Sequence, residues 1–543
     1  MLSRTHSRGA DALARVLQQA GVKRVFALSG NHVMSVFDAL LDTGIELIHT
    51  RHEAATVHMA DAYARITGQP GIALVTGGPG HANAVSALYT AQMSESPVIL
   101  LSGHAPNDQI GTGAFQEMRQ AEMAAPVTKA AWASHNADSV GPDLARAIRI
   151  ALGGRPGPVN LNLPTDALHS RTDGASAKAD FAPEREGLTP EQAQAIVERL
   201  TAAARPVVLA GPYSLTRSGR ARLVSLEATL GVPVVGMESP RGLLDPSLGA
   251  FGEALAQADC VLLLGKRLDF TLKFGKAPAF SAGCEFLQVD PEAAEIERSR
   301  SAVGERLRIA CVADVIPTID ALCAQGAAAK QKRAWIDEVD AAIAYRPAAW
   351  ETARASAGRV HPAHLARPLQ SILDNHPDAI LIADGGEIGQ WAQACLNAPH
   401  RVINGVAGSI GAGLPFAIGA RVAESRAPIV AVMGDGTFGF HTAELDTAVT
   451  RKLPFLAVIG NDARWNAEHQ IQIREYGPDR AHGCELRELR YDLIAQAFGA
   501  WGERVTTAGE VLPAAQRAVA SGRPACLDVL IDGLPAPQIS RKQ

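Results

Sequence analysis

The chain has 543 residues, so a single hydrophobic core is excluded and roughly two to four domains are expected. It is 47% hydrophobic and 20% charged, which is the balance of an ordinary globular protein. The formal net charge of −5 excludes a strongly basic surface, so we expect no nucleic-acid partner. No apolar run approaches the roughly 18 residues that a membrane helix needs, so we expect no membrane partner.

The seven cysteines are scattered, odd in number and without a CxxC pair. This pattern predicts buried free thiols in a reducing compartment and not a disulfide framework. The segment Met1–Leu13 contains no apolar core of the kind that a secretory signal has. We therefore expect a cytoplasmic protein.

Residues 1–168 alternate between helical and strand patterns in short segments. Such alternation predicts a doubly wound α/β domain with a parallel sheet. Helices are predicted at Gly9–Ala20, Val33–Leu41, Arg51–Thr67 and Ala84–Met93, and strands at Val22–Leu28, Ile45–His49, Gly71–Thr76 and Val98–Leu101.

Two further α/β domains are predicted at residues 189–325 and 360–535, which makes three doubly wound parallel-sheet domains. The polar segment His169–Leu188 and the Ala-rich segment Gln325–Arg359 are predicted to be linkers, the second one helical. The tail Pro535–Gln543 is predicted to be mobile. Strands are predicted at Pro206–Leu209, Val232–Val235, Cys260–Leu264, Glu285–Val289, Ala379–Ala383, Ile429–Met433 and Phe455–Ile459.

The last two of these strands end in turns that are rich in oxygen atoms. Gly434-Asp435-Gly436 follows one strand, and Asp462 follows the other, with the predicted helix Thr442–Thr450 between them. Open α/β sheets bind ligands at the carboxyl ends of their strands, and the two glycines allow the backbone to approach a phosphate. The two carboxylates, one crossover apart, can converge on a Mg²⁺ ion that is shared with phosphates. The alternative is that the Gly-Asp-Gly sequence is simply a turn.

The Gly-Asp-Gly motif followed by Asn-Asp resembles the diphosphate-binding domain of thiamine-diphosphate enzymes. The resemblance implies that Asp435 and Asp462 bind Mg²⁺ and that the backbone carbonyl of Arg464 is a third ligand. The family more often has Asn where this chain has Asp462. That departure adds negative charge near the metal and leaves Asn461 as an alternative ligand.

The same resemblance implies a set of contacts to thiamine diphosphate in the third domain. The Gly408 carbonyl would accept a hydrogen bond from the pyrimidine 4′-amine, and Ile410 would bend the cofactor so that its 4′-nitrogen approaches C2. Alternatively, Ile410 is only a core residue at a helix start. Many relatives have Gly where this chain has Asn466, and Asn tolerates the left-handed conformation. The other implied contacts are Gly386, Glu387, Gly434, Asp435, Gly436, Thr437, Trp465 and Ala467.

Glu53 is the first candidate catalytic residue. A carboxylate in the first turn of a helix is stabilised by the helix dipole, and this structural role alone could explain it. In thiamine-diphosphate enzymes, however, a Glu in the Arg-His-Glu context hydrogen-bonds the N1′ atom of the aminopyrimidine. The resemblance implies that Glu53 thereby favours the imino tautomer, whose nitrogen removes the C2 proton.

The turn after Gly71–Thr76 matches the family's Gly-Pro-Gly-x-x-Asn motif at Pro79, Gly80 and Asn83. The resemblance implies that Pro79 and Asn83, together with Gly30 and Asn31 of the first strand–helix turn, bind the cofactor. Alternatively, Asn83 only caps the following helix.

His32 and Gln116 are the other two candidate catalytic residues. His32 resembles the histidine of the Gly-x-His turn in benzaldehyde lyase, which serves proton transfers on the substrate hydroxyl; a structural histidine is the alternative. A glutamine at the position of Gln116 is shared by benzaldehyde lyase, acetolactate synthase and 2-hydroxyacyl-CoA lyase. It would hydrogen-bond the substrate oxygen or the aminopyrimidine. The neighbouring Glu117 is expected to be solvated or paired with Arg119.

The middle domain leaves its ligand open. In acetolactate synthases it binds FAD, and in oxalyl- and hydroxyacyl-CoA enzymes it binds ADP or CoA. The stretch from Arg267 to Gly275 resembles the CoA-lyase version, in which Arg267 and Lys273 could contact phosphates; a solvated basic turn is the alternative. No complete GxGxxG motif is present, so nothing demands a dinucleotide.

The resemblance covers the whole chain, in the order pyrimidine-binding, middle and diphosphate-binding domain. It implies a lyase or carboligase that needs thiamine diphosphate and Mg²⁺ and acts on 2-hydroxyketones or 2-oxo acids through an enamine intermediate, like benzaldehyde lyase or acetolactate synthase. A 2-hydroxyacyl-CoA lyase and a non-catalytic cofactor-binding subunit are the alternatives. The family combines Glu53 of one chain with Asp435 of another in one site, which implies a homodimer or homotetramer.

Overall fold

Three parallel β-sheets carry the fold, and they confirm the predicted α/β fold class. The structure is a computed structural model that describes residues 7–172, 179–326, 332–374 and 376–542. Parts of both predicted linkers, residues 173–178 and 327–331, lie outside the described residues, as do residues 1–6 and Gln543.

The first sheet has six parallel strands in the order β2-β1-β3-β4-β6-β5. Its strands are β1 (Arg24–Ala27), β2 (Glu46–His49), β3 (Gly71–Val75), β4 (Val98–His104), β5 (Ala130–Ala133) and β6 (Val159–Pro164). Its helices are α1 (Gly9–Gln19), α2 (Met34–Leu40), α3 (Glu53–Thr67), α4 (Pro79–Met93), α5 (Gln120–Ala124), α6 (Ala137–Leu152) and α7 (Thr165–His169).

The second sheet has five parallel strands in the order β11-β10-β9-β7-β8. Its strands are β7 (Pro206–Ala210), β8 (Val234–Gly236), β9 (Cys260–Leu264), β10 (Glu285–Asp290) and β11 (Leu307–Val312). The accompanying helices are α8 (Pro190–Ala202), α9 (Arg217–Leu230), α10 (Phe251–Leu255), α11 (Ala293–Val303), α12 (Val315–Ala324) and α13 (Arg333–Ala344).

The third sheet has six parallel strands in the order β13-β12-β14-β15-β17-β16. Its strands are β12 (Ile380–Asp384), β13 (His400–Ile403), β14 (Ile429–Gly434), β15 (Leu456–Asn461), β16 (Trp501–Val505) and β17 (Ala525–Leu530). Its helices are α14 (Pro362–Ala366), α15 (Gln370–Leu373), α16 (Glu387–Cys395), α17 (Gly413–Ala423), α18 (Asp435–Gly439), α19 (Glu444–Thr450), α20 (Asn466–Tyr476), α21 (Tyr491–Ala497) and α22 (Ala508–Ala520).

The central strands are buried along their whole length, as in β4 and β15. Helices cover both faces of such sheets, which is why these strands are continuous apolar runs without alternation. Strand order reverses between β1 and β3, between β7 and β9 and between β12 and β14. At each reversal the two connections leave in opposite directions, and the crevice between the strand ends is the expected ligand position.

Two segments differ from their predictions. Helix α13, predicted to be a linker, packs Trp335 and Val339 into the core of the middle domain. The tail, predicted to be mobile, is held by hydrogen bonds: Trp391 donates to the Pro535 carbonyl at 2.9 Å, and Ser540 donates to Glu253 at 2.7 Å.

The chain forms two compact units. The first runs to Glu184 and also contains Ile418–Ala423 and Ala443–Arg451, whereas the second contains the rest. Among the residues that the structure describes, every helix is too short or too polar to traverse a lipid bilayer.

Candidate active site

In the first unit, Thr76 lies at the reversal between β1 and β3 and brings two turns together. A Cβ atom on Gly30 would lie 2.4 Å from the Thr76 Cβ, and one on Gly80 would lie 2.8 Å from its Cγ2. The Gly80 position is also 3.4 Å from the Glu53 Oε1. Side chains at either glycine would therefore push apart the turns that surround the Glu53 carboxylate.

Glu53 is the first residue of α3 and is half-buried. Asn83 donates a hydrogen bond from Nδ2 to the Glu53 Oε2 at 3.1 Å. Helix α4 begins at Pro79, with Gly78 at its N-cap, and not at the predicted Ala84. Proline suits the first helical position because it lacks the N–H group that would be unpaired there. Asn83 is thus inside the helix and does not cap it, and its amide faces Glu53.

Glu444 holds the turn in front of Glu53. This carboxylate is fully buried, and its Oε1 accepts hydrogen bonds from the backbone N–H groups of Arg51 at 2.9 Å and His52 at 3.0 Å. Its Oε2 accepts a bond from the Thr447 hydroxyl at 2.8 Å. Burial raises the pKa of Glu444. The sequence analysis missed this residue, since a glutamate at a helix start gives no sign of a distant backbone partner.

His32 and Gln116 lie at the same edge of the sheet. The His32 Nδ1 lies 3.2 Å from the Thr76 hydroxyl, and its ring stacks on Phe115 with 5.9 Å between centroids. Burial lowers the pKa of His32, against a smaller raising effect of the Phe115 backbone. Gln116 packs on the turn of α4, because a Cβ on Gly78 would lie 2.8 Å from the Gln116 Cβ.

The first unit therefore gathers Gly30, His32, Glu53 and Gln116 around Thr76 and the start of α4, which contains Pro79, Gly80 and Asn83. Asn31 follows Gly30 in a 3₁₀ turn and is exposed. Its contact with a cofactor stays a prediction.

In the second unit, a cavity of about 50 Å³ lies at the reversal between β12 and β14. It collects the third-domain residues that were predicted to contact the cofactor or the metal, except Gly408 and the alternative ligand Asn461. Its walls are Gly386, Glu387, Ile388, Ile410, Gly434, Asp435, Gly436, Thr437, Gly460, Asp462, Arg464, Trp465, Asn466, Ala467 and Glu468.

The negative charges of Asp435 and Asp462 are not fully neutralised by the protein in this cavity. Asp435 is 1% exposed, and its Oδ2 has no hydrogen-bond partner among the described residues. Burial raises its pKa to about 6. Burial and the nearby Asp435 charge together raise the pKa of Asp462 to about 7. The charges of the buried Asp435 and the half-buried Asp462 disfavour each other, and a divalent cation would remove that repulsion.

Asn461, the alternative metal ligand, uses its amide nitrogen for other contacts, while its buried Oδ1 has no hydrogen-bond partner among the described residues, so the choice between Asn461 and Asp462 stays a prediction. Asn461 donates from Nδ2 to Asp528 at 2.9 Å and to the Leu489 carbonyl at 3.2 Å, and it does not line the cavity. The described residues contain no group of three or more acidic, His or Cys side chains that could hold a metal alone. The residues present thus fit a Mg²⁺ ion that takes its remaining oxygen ligands from backbone carbonyls and phosphate. The Arg464 carbonyl stays a predicted ligand.

The turn after β15 differs from its expected geometry. Asn466 is the first residue of α20, and the left-handed residue of this turn is Ala463, with φ 57°. Asn466 instead donates to the Leu534 carbonyl at 2.9 Å. Trp465 covers the Gly-Asp-Gly turn so closely that a Cβ on Gly436 would lie 2.5 Å from its ring. Gly436 is therefore required by this contact.

Asp384, at the end of β12, holds the turn that carries Ile410. Its Oδ2 accepts hydrogen bonds from the backbone N–H groups of Gly411 at 3.1 Å and Gly413 at 2.6 Å. Burial raises its pKa to about 6. The sequence analysis assigned its neighbours Gly386 and Glu387 but missed Asp384.

In the middle domain, the two turns at the strand reversal approach each other closely. A Cβ on Gly211 would lie 2.3 Å from the Gly265 carbonyl oxygen, so the two turns touch. Arg267 lies 3.3 Å from Glu295 and 3.7 Å from Glu292, so its charge is already compensated. The ligand of the middle domain stays open.

Three family profiles match the chain in the order of its sheets. They are described as thiamine pyrophosphate enzyme N-terminal TPP binding domain, central domain and C-terminal TPP binding domain, and they match residues 7–123, 193–322 and 384–529. A probable acetolactate synthase of Mycobacterium bovis is 31% identical over 536 residues, which cover 96% of this chain and 95% of that protein. The chain belongs to the thiamine pyrophosphate enzyme family.

Other relatives in the family carry different names. The 2-hydroxyacyl-CoA lyase 2 of Bos taurus is 31% identical over 581 residues, which cover 96% of this chain and 90% of that protein. A probable acetolactate synthase large subunit of Methanocaldococcus jannaschii is 26% identical, with 97% and 92% covered. The family membership confirms a thiamine-pyrophosphate-dependent enzyme with two cofactor-binding domains, whereas similar identities to differently named enzymes leave the reaction open.

Proposed function

We propose that this thiamine pyrophosphate enzyme is a lyase or carboligase that breaks or forms the carbon–carbon bond of 2-hydroxyketones or 2-oxo acids. The observation that carries the proposal is Glu53, a half-buried carboxylate that Asn83 hydrogen-bonds in a turn held by Glu444. A subunit that only bound the cofactor would not need an oriented carboxylate at this point. Glu53 therefore argues against the non-catalytic alternative.

The cavity of the second unit would hold the charged end of the cofactor. Asp435 and Asp462 would bind Mg²⁺ through carboxylate oxygens, with the Arg464 carbonyl as a third ligand. The unpartnered Asp435 Oδ2 supports this assignment. Gly408 and Ile410 would contact the pyrimidine, as would Gly30, Asn31, Pro79 and Asn83. The diphosphate would lie against Gly386, Glu387, Gly434, Gly436, Thr437, Trp465, Asn466 and Ala467.

Thiamine diphosphate, when bound, supplies a carbon nucleophile for carbonyl substrates. Glu53 would hold a proton between its carboxylate and the pyrimidine ring. His32 is neutral near pH 7 because burial lowers its pKa, so its imidazole can accept a proton from a substrate hydroxyl. Gln116 would donate a hydrogen bond from its amide to the substrate oxygen.

A 2-hydroxyacyl-CoA lyase remains the second candidate, and a second cavity supports it. This cavity of about 610 Å³ shares Glu387 and Ala467 with the diphosphate cavity. It is far larger than a pyruvate molecule, and Arg241 and Arg474 line it. Those cations would suit the carboxylate of a 2-oxo acid or the phosphates of a CoA ester.

The experiment that separates the candidates is a substrate panel with the protein loaded with thiamine diphosphate and Mg²⁺. Pyruvate, benzoin and a 2-hydroxyacyl-CoA ester represent the three substrate classes. We expect His32→Ala to lose turnover of a 2-hydroxyketone and to keep cofactor binding, since His32 acts on the substrate hydroxyl. Turnover of the CoA ester alone, lost in Arg241→Ala, would overturn the first candidate in favour of the second.

An assembly of two or four identical chains is part of the proposal. Phe115 beside His32 is 68% exposed, and Phe440 beside Trp465 of the diphosphate cavity is 53% exposed. Large apolar side chains at a site are normally covered, and a second copy of the chain would cover them. Active protein that sediments as a monomer would contradict this. The seven free thiols support a reducing, cytoplasmic location.

A further inference from the structure

The segment that carries Phe115 and Gln116 contains neither a helix nor a strand. It lies between a 3₁₀ turn at Asn107–Gln109 and helix α5. It nevertheless presents two groups to the candidate active site: the Phe115 ring stacks on His32, and Gln116 packs against Gly78. A loop without regular structure needs some other interaction to hold these groups in position.

Glu117 provides that interaction. Its Oε1 accepts a hydrogen bond from the backbone N–H of Gly111 at 2.5 Å, and its Oε2 accepts bonds from Gly113 at 3.0 Å and Ala114 at 3.1 Å. These bonds hold the pKa of Glu117 below its usual range. Among the described residues, Glu117 makes no ion pair with Arg119; it is partly exposed, and its carboxylate instead binds the backbone of its own loop.

The loop path depends on residues in the left-handed region. Gly111 and Gly113 have φ values of 86° and 83°, and Gln116, which has a side chain, has φ 59°. A non-glycine residue with positive φ persists only where its surroundings hold it there. The Glu117 bonds close the loop on one side of Gln116, and Gly78 packs against it on the other.

We propose that Glu117 is a positioning residue: its carboxylate folds residues 111–117 so that Gln116 and Phe115 meet the substrate and His32. The inference rests on the proposed function, since it assigns Glu117 to the same reaction. Glu117 itself touches none of the reacting groups. Its effect passes through the conformation of Gln116 and the contact between Phe115 and His32.

The test compares Glu117→Ala and Glu117→Gln with Glu122→Ala, a control that removes an exposed carboxylate outside the loop. Hydrogen–deuterium exchange reports the loop directly. In Glu117→Ala we expect fast exchange at residues 111–117 and unchanged exchange in α3 and α4. The glutamine oxygen can replace only one of the two carboxylate oxygens, so Glu117→Gln should be intermediate.

Activity and cofactor binding form the second readout. We expect kcat of Glu117→Ala with the best panel substrate to fall about 100-fold, the scale of a small displacement at a reacting centre, with thiamine diphosphate affinity and Tm unchanged. Unchanged loop exchange or unchanged kcat in Glu117→Ala would overturn the inference, as would a parallel loss of cofactor affinity and Tm. If the wild-type protein turns over no panel substrate, the proposed function fails, and the exchange data still decide whether Glu117 holds the loop.

Discussion

The Glu53 turn follows the edge strand β2 of the first sheet, and the Asp435 turn follows β14 of the third sheet. The buried carboxylates at these two turns are satisfied in opposite ways. In front of Glu53, the buried Glu444 accepts bonds from two backbone N–H groups and one hydroxyl. In the other sheet, Asp435 keeps an oxygen without a partner, and the charge of Asp435 acts on Asp462. The first turn is completed by the protein, whereas among the described residues the second keeps a carboxylate oxygen without a partner, as the proposed cation site requires.

Burial alone does not cause this difference. Asp384 is as buried as Asp435 and lies in the same sheet, but it accepts N–H bonds from Gly411 and Gly413. Hydrogen-bond donors of the protein hold a turn in one orientation. A pair of carboxylates without such donors is suited to bind a metal ion. The hydrogen-bond partners of a buried carboxylate therefore indicate its role better than its degree of burial does.

The largest expected effect is on chemistry in the first turn. We expect Glu53→Gln to lower turnover by about 10²- to 10⁴-fold, because the amide cannot exchange a proton with the pyrimidine. Thiamine diphosphate affinity should change little, since Asp435 and Asp462 are intact. Deuterium exchange at C2 of the added cofactor, followed by NMR, measures the effect without any substrate. Wild-type exchange rates in this variant would remove Glu53 from the chemistry.

The second turn should control binding. We expect Asp435→Ala to weaken Mg²⁺-dependent binding of thiamine diphosphate by more than about 100-fold. The substitution removes a carboxylate that would bind the metal directly, and this should cost more than the loss of a residue that only orients a ligand. Isothermal titration calorimetry measures the affinity, with the exposed Asp479→Ala variant as control. Chelation of Mg²⁺ should reproduce the loss in the wild-type protein, and added Mg²⁺ should restore binding. Binding of thiamine diphosphate that does not depend on Mg²⁺ would contradict a cation site at the Asp435 turn.

The carboxylate that holds the Glu53 turn should have a smaller effect. We expect Glu444→Ala to lower turnover about tenfold and stability by about 1–3 kcal/mol, because two N–H groups lose their acceptor. Glu444→Gln should keep turnover and stability near the wild-type values. Its amide oxygen can accept hydrogen bonds from the N–H groups of Arg51 and His52, while its amide nitrogen faces Thr447. Steady-state kinetics and thermal melts are the measurements. Equal damage in both variants would show that the negative charge matters, and not the geometry.

The smallest effect is a pH dependence of stability through Asp384. Burial raises its folded-state pKa to about 6, above an unfolded value of about 3.9. Its contribution to stability is therefore complete below about pH 4 and is lost as pH rises through 6. We expect the Tm of the wild-type protein to decline by a few degrees relative to Asp384→Asn between pH 4.5 and 7.5. A constant difference in Tm would contradict the raised pKa.

Much of the fold could be predicted from local pattern. The apolar run Ile429–Met433 became β14 with one residue added, and Cys260–Leu264 became β9 without change. Element ends were less accurate, as at α4, where the predicted start at Ala84 overlooked Pro79 as a first helical residue. Helix α13 could not be assigned to the middle domain from the sequence, because its local pattern does not show which hydrophobic core Trp335 packs into.

The candidate site divides in the same way. Glu53, Asp435 and Asp462 carry recognisable motifs, and the structure brings each to a sheet reversal. Asp384, Glu444 and Glu117 carry none, since each acts on backbone N–H groups at positions that the chain path alone selects. Asn461 and Asp462 are adjacent candidates for the metal, and the structure places Asp462, but not Asn461, in the wall of the cavity.

The sequence by itself determined the three parallel sheets, the family and the acids that mark each turn, because apolar runs and turn motifs are local properties. The tertiary structure alone decided which acids accept backbone hydrogen bonds and which keep an oxygen without a partner among the described residues. That choice depends on hydrogen-bond donors that belong to distant segments of the chain. Their positions are set by tertiary packing, which no local sequence pattern records.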